Sequence, residues 1–171
     1  MHQIGVGALG PVFRAYDPDG GRLVAIKVFH LDILPEEVEV LSVALSGVVQ
    51  GGMEHPSLVT PVGTGISDGV PYLALEYVAA ESLDVVLRNR SSATVETVLP
   101  LVVQLAEVLD AAHEKGQSHG ALHPRDVFVT QELVRVTGFG VVSALAQIGL
   151  RGPIRRPYTA PEQIAGADWG P

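Results

Sequence analysis

The chain has 171 residues, 47% hydrophobic and 18% charged, a globular composition that disfavours disorder and suffices for one sizeable domain or two small lobes. Its 11 Lys plus Arg against 19 Asp plus Glu give a formal charge of −8, which disfavours general attraction to nucleic acid or anionic lipid. The lack of Cys removes disulfides, thiolate catalysis and Cys-ligated zinc or iron–sulfur centres.

Sheet is predicted first. Val12 and Phe13 continue a strand after IGVGALG, DPDGG (Asp17 to Gly21) marks a turn, and Leu23 to Phe29 forms a second strand, together a hairpin. The near-helical spacing of Val38, Leu41, Leu45 and Val48/Val49 predicts a helix over Glu36 to Val49, with Pro35 at its start and Gly51-Gly52 after it. HPSLVTPVG returns to extended structure, and Ser67-Asp68-Gly69 leads into a strand over Pro71 to Val78. Helices follow. Ser82 to Arg90 predicts a short one and Val98 to Lys115 a long one, with Val98, Leu101, Val102, Leu105, Leu109 and Ala112 as its apolar stripe and Gly116 as its stop. Val127 to Val129 and Leu133 to Val136 read as short strands, followed by a loop-rich stretch to Pro171. Sheet first and helices later predict two lobes with a hinge near Tyr77 to Glu81.

Gly5 to Gly10, GVGALG, has G-x-G-x-x-G spacing. Glycine lets a ligand approach backbone N–H groups. A dinucleotide fold would follow the glycines with a helix. Here PVFRAY and LVAIKVF follow, so a phosphate-covering strand hairpin fits better, beside the alternative of an ordinary glycine-rich turn. Lys27 lies in an apolar strand and shares a face with Ala25 and Phe29. It faces a cleft or an anion, or is an edge lysine whose stem runs along the sheet.

GVGALGPVF with AIKVF resembles the glycine-rich loop and strand-three lysine of a protein kinase. HPSLV resembles the segment after helix C, and PYLALEYVAAESL the hinge of bacterial serine/threonine kinases. AAHEKGQSHGALHPRDVFV resembles the catalytic loop, VTGFG stands where the metal-binding DFG belongs, and YTAPEQ resembles the end of the activation segment. The resemblance covers nearly the whole chain in family order. It implies an α+β, two-lobed protein-kinase-like fold: a small β-rich N-lobe over residues 1–78 and an incomplete helical C-lobe over 79–171. It further implies ATP as ligand, with Gly5, Gly7 and Gly10 over the phosphates, Lys27 facing them, and Val12 and Ala25 flanking the adenine. Leu75 would be the gatekeeper, Glu76 to Val78 the hinge, and Phe128 the residue under the base. His119 and Phe139 would be core residues and Glu162 a structural carboxylate. Glu39 is the chosen helix partner for Lys27, although Glu36, Glu37 and Glu39 read equally well as first-turn carboxylates.

Kinase chemistry needs one carboxylate to orient the attacking hydroxyl, and a second, with an Asn, to hold magnesium. Against the family's H-R-D-x-K-x-x-N, this chain reads H-G-A-L-H-P-R-D: Gly120 replaces the Arg, Ala121 the catalytic Asp, His123 the Lys and Asp126 the Asn. Gly138 replaces the main magnesium carboxylate. No catalytic residue is therefore intact. Asp126 remains as a candidate metal ligand, His123 as a candidate base, and Mg2+ binding is doubtful. Ile154-Arg155-Arg156 stands where related segments carry G-T-P, which puts Ser/Thr substrate recognition in doubt.

The resemblance also implies a truncated frame that leaves the apolar stripe of the long helix and part of Ala160 to Ile164 uncovered. The leading expectation is a catalytically impaired, pseudokinase-like domain that captures nucleotide or contacts a protein partner. The alternatives are a divergent ATP-dependent serine/threonine kinase and a degenerate fragment that binds nothing. Arg151, Arg155 and Arg156 form either a patch for an acidic partner or a solvated loop. No nucleic acid and no membrane segment are expected, and without Cys or a signal pattern the location expected is cytoplasmic.

Overall fold

The computed structural model describes residues 1–89 and 92–166. Arg90, the predicted end of the short helix, and residues 167–171 lie outside the described residues. The architecture is α+β, and the chain divides into two compact units, Met1–Gly52 with Val59–Val78 and Ser143–Pro153, and Met53–Leu58 with Ala79–Val142 and Ile154–Pro171.

The first unit holds an antiparallel sheet of β1 (His2–Gly7), β2 (Gly10–Asp17), β3 (Arg22–Val28), β4 (Pro61–Ser67) and β5 (Val70–Glu76) in the order β1-β2-β3-β5-β4. Its turns follow from local chemistry. Gly7 pairs with Gly10, leaving Ala8-Leu9 as the connection. Asp17 pairs with Arg22 across the DPDGG turn, where its carboxylate accepts from the Gly20 amide at 3.1 Å and from Arg22 Nε at 3.4 Å. Ser67 pairs with Val70, and Asp68 and Gly69 between them take φ of 52° and 77°, the left-handed pair of a two-residue hairpin turn. Helix α1 (Pro35–Gln50) buries Val38, Leu41 and Leu45 and packs on β4 and β5. The Glu37 carboxylate accepts from the Leu34 amide at 2.7 Å and so satisfies a free donor at its own helix start. Glu39, the chosen Lys27 partner, is on the exposed face of α1.

The second unit contains a small sheet of β6 (Glu81–Ser82), β7 (Val127–Val129) and β8 (Val134–Val136), with helices α2 (Leu83–Asn89) and α3 (Val95–Glu114). Its core is Leu58, Val108, Ala112, Val127, Val134, Val136 and Phe139, against which Leu101, Leu105 and Leu109 pack. The predicted α3 stripe divides: Leu101, Leu105, Leu109 and Ala112 meet the core, and the rest is uncovered. Val98 and Val102 are exposed, as are Val95, Leu99 and Val103. The first half of the helix is apolar on most of its circumference, so spacing alone could not say which side the core would take. Gly116, at φ 66°, ends the helix, and the Gln117 amide donates back to the Ala112 carbonyl at 2.9 Å. Within the expected loop-rich stretch a short helix, α4 (Val141–Ala146), forms, with Ser143–Ala146 belonging to the first unit. Six residues are too few to display a helical period, and burial of Val141, Ala144 and Leu145 anchors them. A last short helix, α5 (Pro161–Ile164), starts at the APEQ segment. Among the described residues, no helix is long and apolar enough to cross a membrane.

Candidate functional site

In the first unit, strand register brings the nucleotide candidates together. Val12 lies opposite Lys27, and Ala25 opposite Leu75. Directly opposed residues and alternate residues of a strand share a face. Val12, Ala25, Lys27 and Leu75 therefore lie on one face of three adjacent strands. Glu76 continues β5, its amide bound to the Thr60 carbonyl at 2.9 Å, and Val78 is half-buried just beyond. The three glycines are not equivalent. A Cβ on Gly10, whose φ is 147°, would stand 2.3 Å from the Val28 carbonyl oxygen, so the hairpin itself demands glycine there. A Cβ on Gly5 would meet nothing within 4 Å, and one on Gly7 only the Gly10 carbonyl at 3.4 Å. Folding leaves these two positions open.

In the second unit, the loop after α3 carries the segment from His119 to Asp126. The buried His119 ring donates from Nε2 to the Thr137 carbonyl at 2.8 Å and accepts at Nδ1 from the Ala121 amide at 3.4 Å. Its edge meets the Phe139 ring at 5.2 Å, so His119 and Phe139 form part of the packed interior. Gly120 takes φ 72°, and its carbonyl accepts from Gln163 Nε2 at 2.8 Å. Ala121 presents only a methyl group where the hydroxyl-orienting carboxylate was expected.

His123 is spent locally. Its Nδ1 accepts from the Arg125 amide at 3.1 Å, capping a 3-10 turn over Pro124–Asp126, and its ring lies edge-on to Tyr158 at 4.8 Å. Burial first, and then the Arg155 charge, hold the imidazole below its ordinary pKa. A neutral imidazole with Nδ1 engaged in a cap is poorly placed to accept a substrate proton there.

Asp126 is 5% exposed and held at both backbone ends: its amide donates to the His123 carbonyl at 2.8 Å, and its carbonyl accepts from the Thr137 amide at 2.9 Å. Its carboxylate forms an ion pair with Arg155 Nη1. Arg155 therefore does not join an exposed basic patch, which corrects one expectation, while Arg151 and Arg156 are exposed. Arg125, beside Asp126 in sequence, turns instead to Asp84 at 3.3 Å. Burial is the largest influence on the Asp84 carboxyl and acts upward, but the Ser82 and Arg125 hydrogen bonds and the Arg88 and Arg125 charges outweigh it and hold the group below its usual range. Phe128 is half-buried on β7, paired with Ser82 and Arg135. Glu162, expected as a structural carboxylate, is exposed, and its neighbour Gln163 makes the link to the loop.

The magnesium that the fold family implies finds no suitable donor set among the described residues. Gly138 takes φ 105°, and a Cβ there would stand 2.9 Å from His119 Nε2, so any side chain at this position would strain the backbone and crowd the His119 ring. Among the described residues, no three His, Cys, Asp or Glu side chains stand together as a metal site. Sequence reasoning missed Arg155, Tyr158 and Gln163 as parts of this cluster. The signal was Asp126 itself, a carboxylate just before the apolar Val127 to Val129, which needs a counter-charge if it is buried.

The whole chain, residues 1–171, matches the family model described as protein kinase domain. It is 33% identical over 180 residues to the serine/threonine-protein kinase pkn2 of Myxococcus xanthus, covering 98% of this chain and 21% of that protein. It is 28% identical over 174 residues to the serine/threonine-protein kinase PknK of Mycobacterium tuberculosis, covering 98% of this chain and 15% of that protein. The solved kinase domain of Mycobacterium tuberculosis PknI superposes with a TM-score of 0.73 at 25% identity, covering 98% of this chain and 63% of that one. The chain thus spans at most about a fifth of these two curated relatives and less than two thirds of the solved domain.

Proposed function

The chain belongs to the protein kinase domain family, and from that premise we propose that it is a domain of bacterial serine/threonine kinase type whose phosphoryl-transfer step is impaired and whose role is nucleotide capture or contact with a regulatory protein partner. The observation that carries this proposal is the pair Ala121 and Gly138, which leaves both catalytic carboxylate positions without an acid. Positioning and charge supply almost all of the catalysis in this reaction class, so losing both acids removes its centre. Nucleotide capture is supported in the first unit by Lys27 sharing a sheet face with Val12, Ala25 and Leu75, and by the open backbone at Gly5 and Gly7. ATP is the proposed ligand. Mg2+ is not proposed as a partner of this chain's own residues.

The test is a thermal-shift series with ATP and ADP, with and without magnesium, alongside a phosphate-transfer assay. At about 100 times its Kd a ligand stabilises by about 2.7 kcal/mol, a Tm rise of ~5–10 °C for a chain of this size. The expected outcome is a nucleotide-dependent rise that Lys27→Met abolishes, without transfer. Robust transfer abolished by Lys27→Met would overturn the proposal. A second reading, a divergent serine/threonine kinase reusing Asp126 and His123, is favoured by the kinase names of the relatives. It requires metal-dependent ATP binding that weakens in Asp126→Ala. A fragment that binds nothing would aggregate and show no nucleotide-induced rise.

A further inference from the structure

We infer that Arg155 is a resident cation of the second unit, its guanidinium holding Asp126 in place of a divalent metal, so that this loop takes up no magnesium. The inference deepens the proposed impairment of transfer and rests on it for where the family places its metal. The geometry comes from this chain alone.

Three observations carry it. The Asp126 carboxylate is presented by a backbone fixed at both ends, and its side chain is 8% exposed against 18% for Arg155. A buried carboxylate with a guanidinium at hydrogen-bond distance has its charge met, and a dication would have to displace or face that positive group. Secondly, Arg155 is not a wandering surface side chain. Its amide donates to Thr159 Oγ1 at 2.6 Å, its carbonyl accepts from the Tyr158 amide at 2.9 Å, and the Tyr158 ring rests against His123. With Gln163 bound to the Gly120 carbonyl, the segment over residues 155–163 is strapped to the loop over residues 120–126, and the guanidinium is delivered by a built turn. Thirdly, magnesium needs several oxygen ligands in near-octahedral array. The position that would supply the second carboxylate is Gly138, which carries no side chain and where a Cβ would crowd the His119 ring at 2.9 Å. The result is a strap whose closure depends on a charge carried by the chain itself, indifferent to divalent ions.

The test is an electron paramagnetic resonance titration of Mn2+ into the whole chain without nucleotide, read beside Tm. Wild type is expected to show no saturable Mn2+ uptake and no Tm change with Mn2+ or Mg2+. Arg155→Met should lower Tm by roughly 10 °C, since removing one partner strands a buried charge. Arg155→Lys, which keeps the charge, should lose much less Tm than Arg155→Met. The double variant Asp126→Asn with Arg155→Met should recover most of it, because no charge is then left unpaired. Uptake of one Mn2+ by wild type that Asp126→Asn abolishes would overturn the inference, as would a wild-type Tm in Arg155→Met. If Arg155→Met does not fold, the double variant decides: a folded double variant supports the pairing and an unfolded one overturns it. Because nucleotide is absent, phosphate transfer by wild type would sink only the proposed function, and Asp126-dependent Mn2+ uptake would sink only this inference.

Discussion

Replacing Gly138 by Ala should destabilise the protein far more than an added methyl group on an exposed loop would. At φ 105° a side chain is strained wherever it points, which costs about 1–3 kcal/mol. The new Cβ would also lie 2.9 Å from His119 Nε2 and 3.1 Å from its Cε1. His119 cannot yield freely, because its ring is 6% exposed and Nε2 donates to the Thr137 carbonyl at 2.8 Å. Driving the ring away leaves a buried donor and acceptor unpaired, another ~1–3 kcal/mol. The sum, about 2–6 kcal/mol, is a large part of the ~5–15 kcal/mol that usually holds a domain together. The denaturant midpoint and Tm should both fall, Tm by ~5–20 °C at the 2–4 °C per kcal/mol typical of this chain length. A double-mutant cycle separates the two causes. In a His119→Ala background the ring is gone, so Gly138→Ala should cost only the backbone strain, with a coupling of about 1–3 kcal/mol. A Gly138→Ala variant within ~0.5 kcal/mol of wild type, or equal costs in both backgrounds, would refute the reasoning. Gly138→Asp carries the same strain, so reinstalling this carboxylate should lower Tm and leave the chain without Mn2+ uptake.

The glycine hairpin should divide by position: Gly10→Ala destabilises by at least 2 kcal/mol (roughly, for a backbone clash that cannot relax), whereas Gly5→Ala leaves Tm near wild type and weakens the ATP-induced rise, both read by thermal shift. His123 should make stability pH-dependent. Its folded pKa lies below the ordinary 6.5, so its contribution is fully present above about pH 6.5 and is lost as pH falls through the folded pKa. His123→Gln should flatten that part of a Tm–pH curve, and an unchanged slope there would count against the assignment. The acid loss from Asp84 falls lower, below the ordinary 3.8, so the two windows are separable. On α3, Val108→Ala, at a fully buried position, should cost about 1–3 kcal/mol. Val103→Ala, at a position 46% exposed, should stay within about 0.5 kcal/mol in the same denaturant titration.

Much of the fold is legible in the amino-acid sequence alone. The Asp68-Gly69 turn, the DPDGG turn, the α1 face of Val38, Leu41 and Leu45, and the Gly116 stop all appear where local sequence placed them. Turns, caps and periodicity are settled by residues within a few positions of one another, so one strand of text contains the whole interaction. The family order and the presence of Ala121 and Gly138 are likewise legible there, because they concern residue identity alone. Only tertiary structure decided which side of the mostly apolar first half of α3 faces the core, and that Gly138 lies against His119. It also decided that Asp126 is met by an arginine 29 residues away. These depend on where the chain returns in space, and burial then fixes the pairing, since a carboxylate removed from water must take the nearest cation that folding delivers.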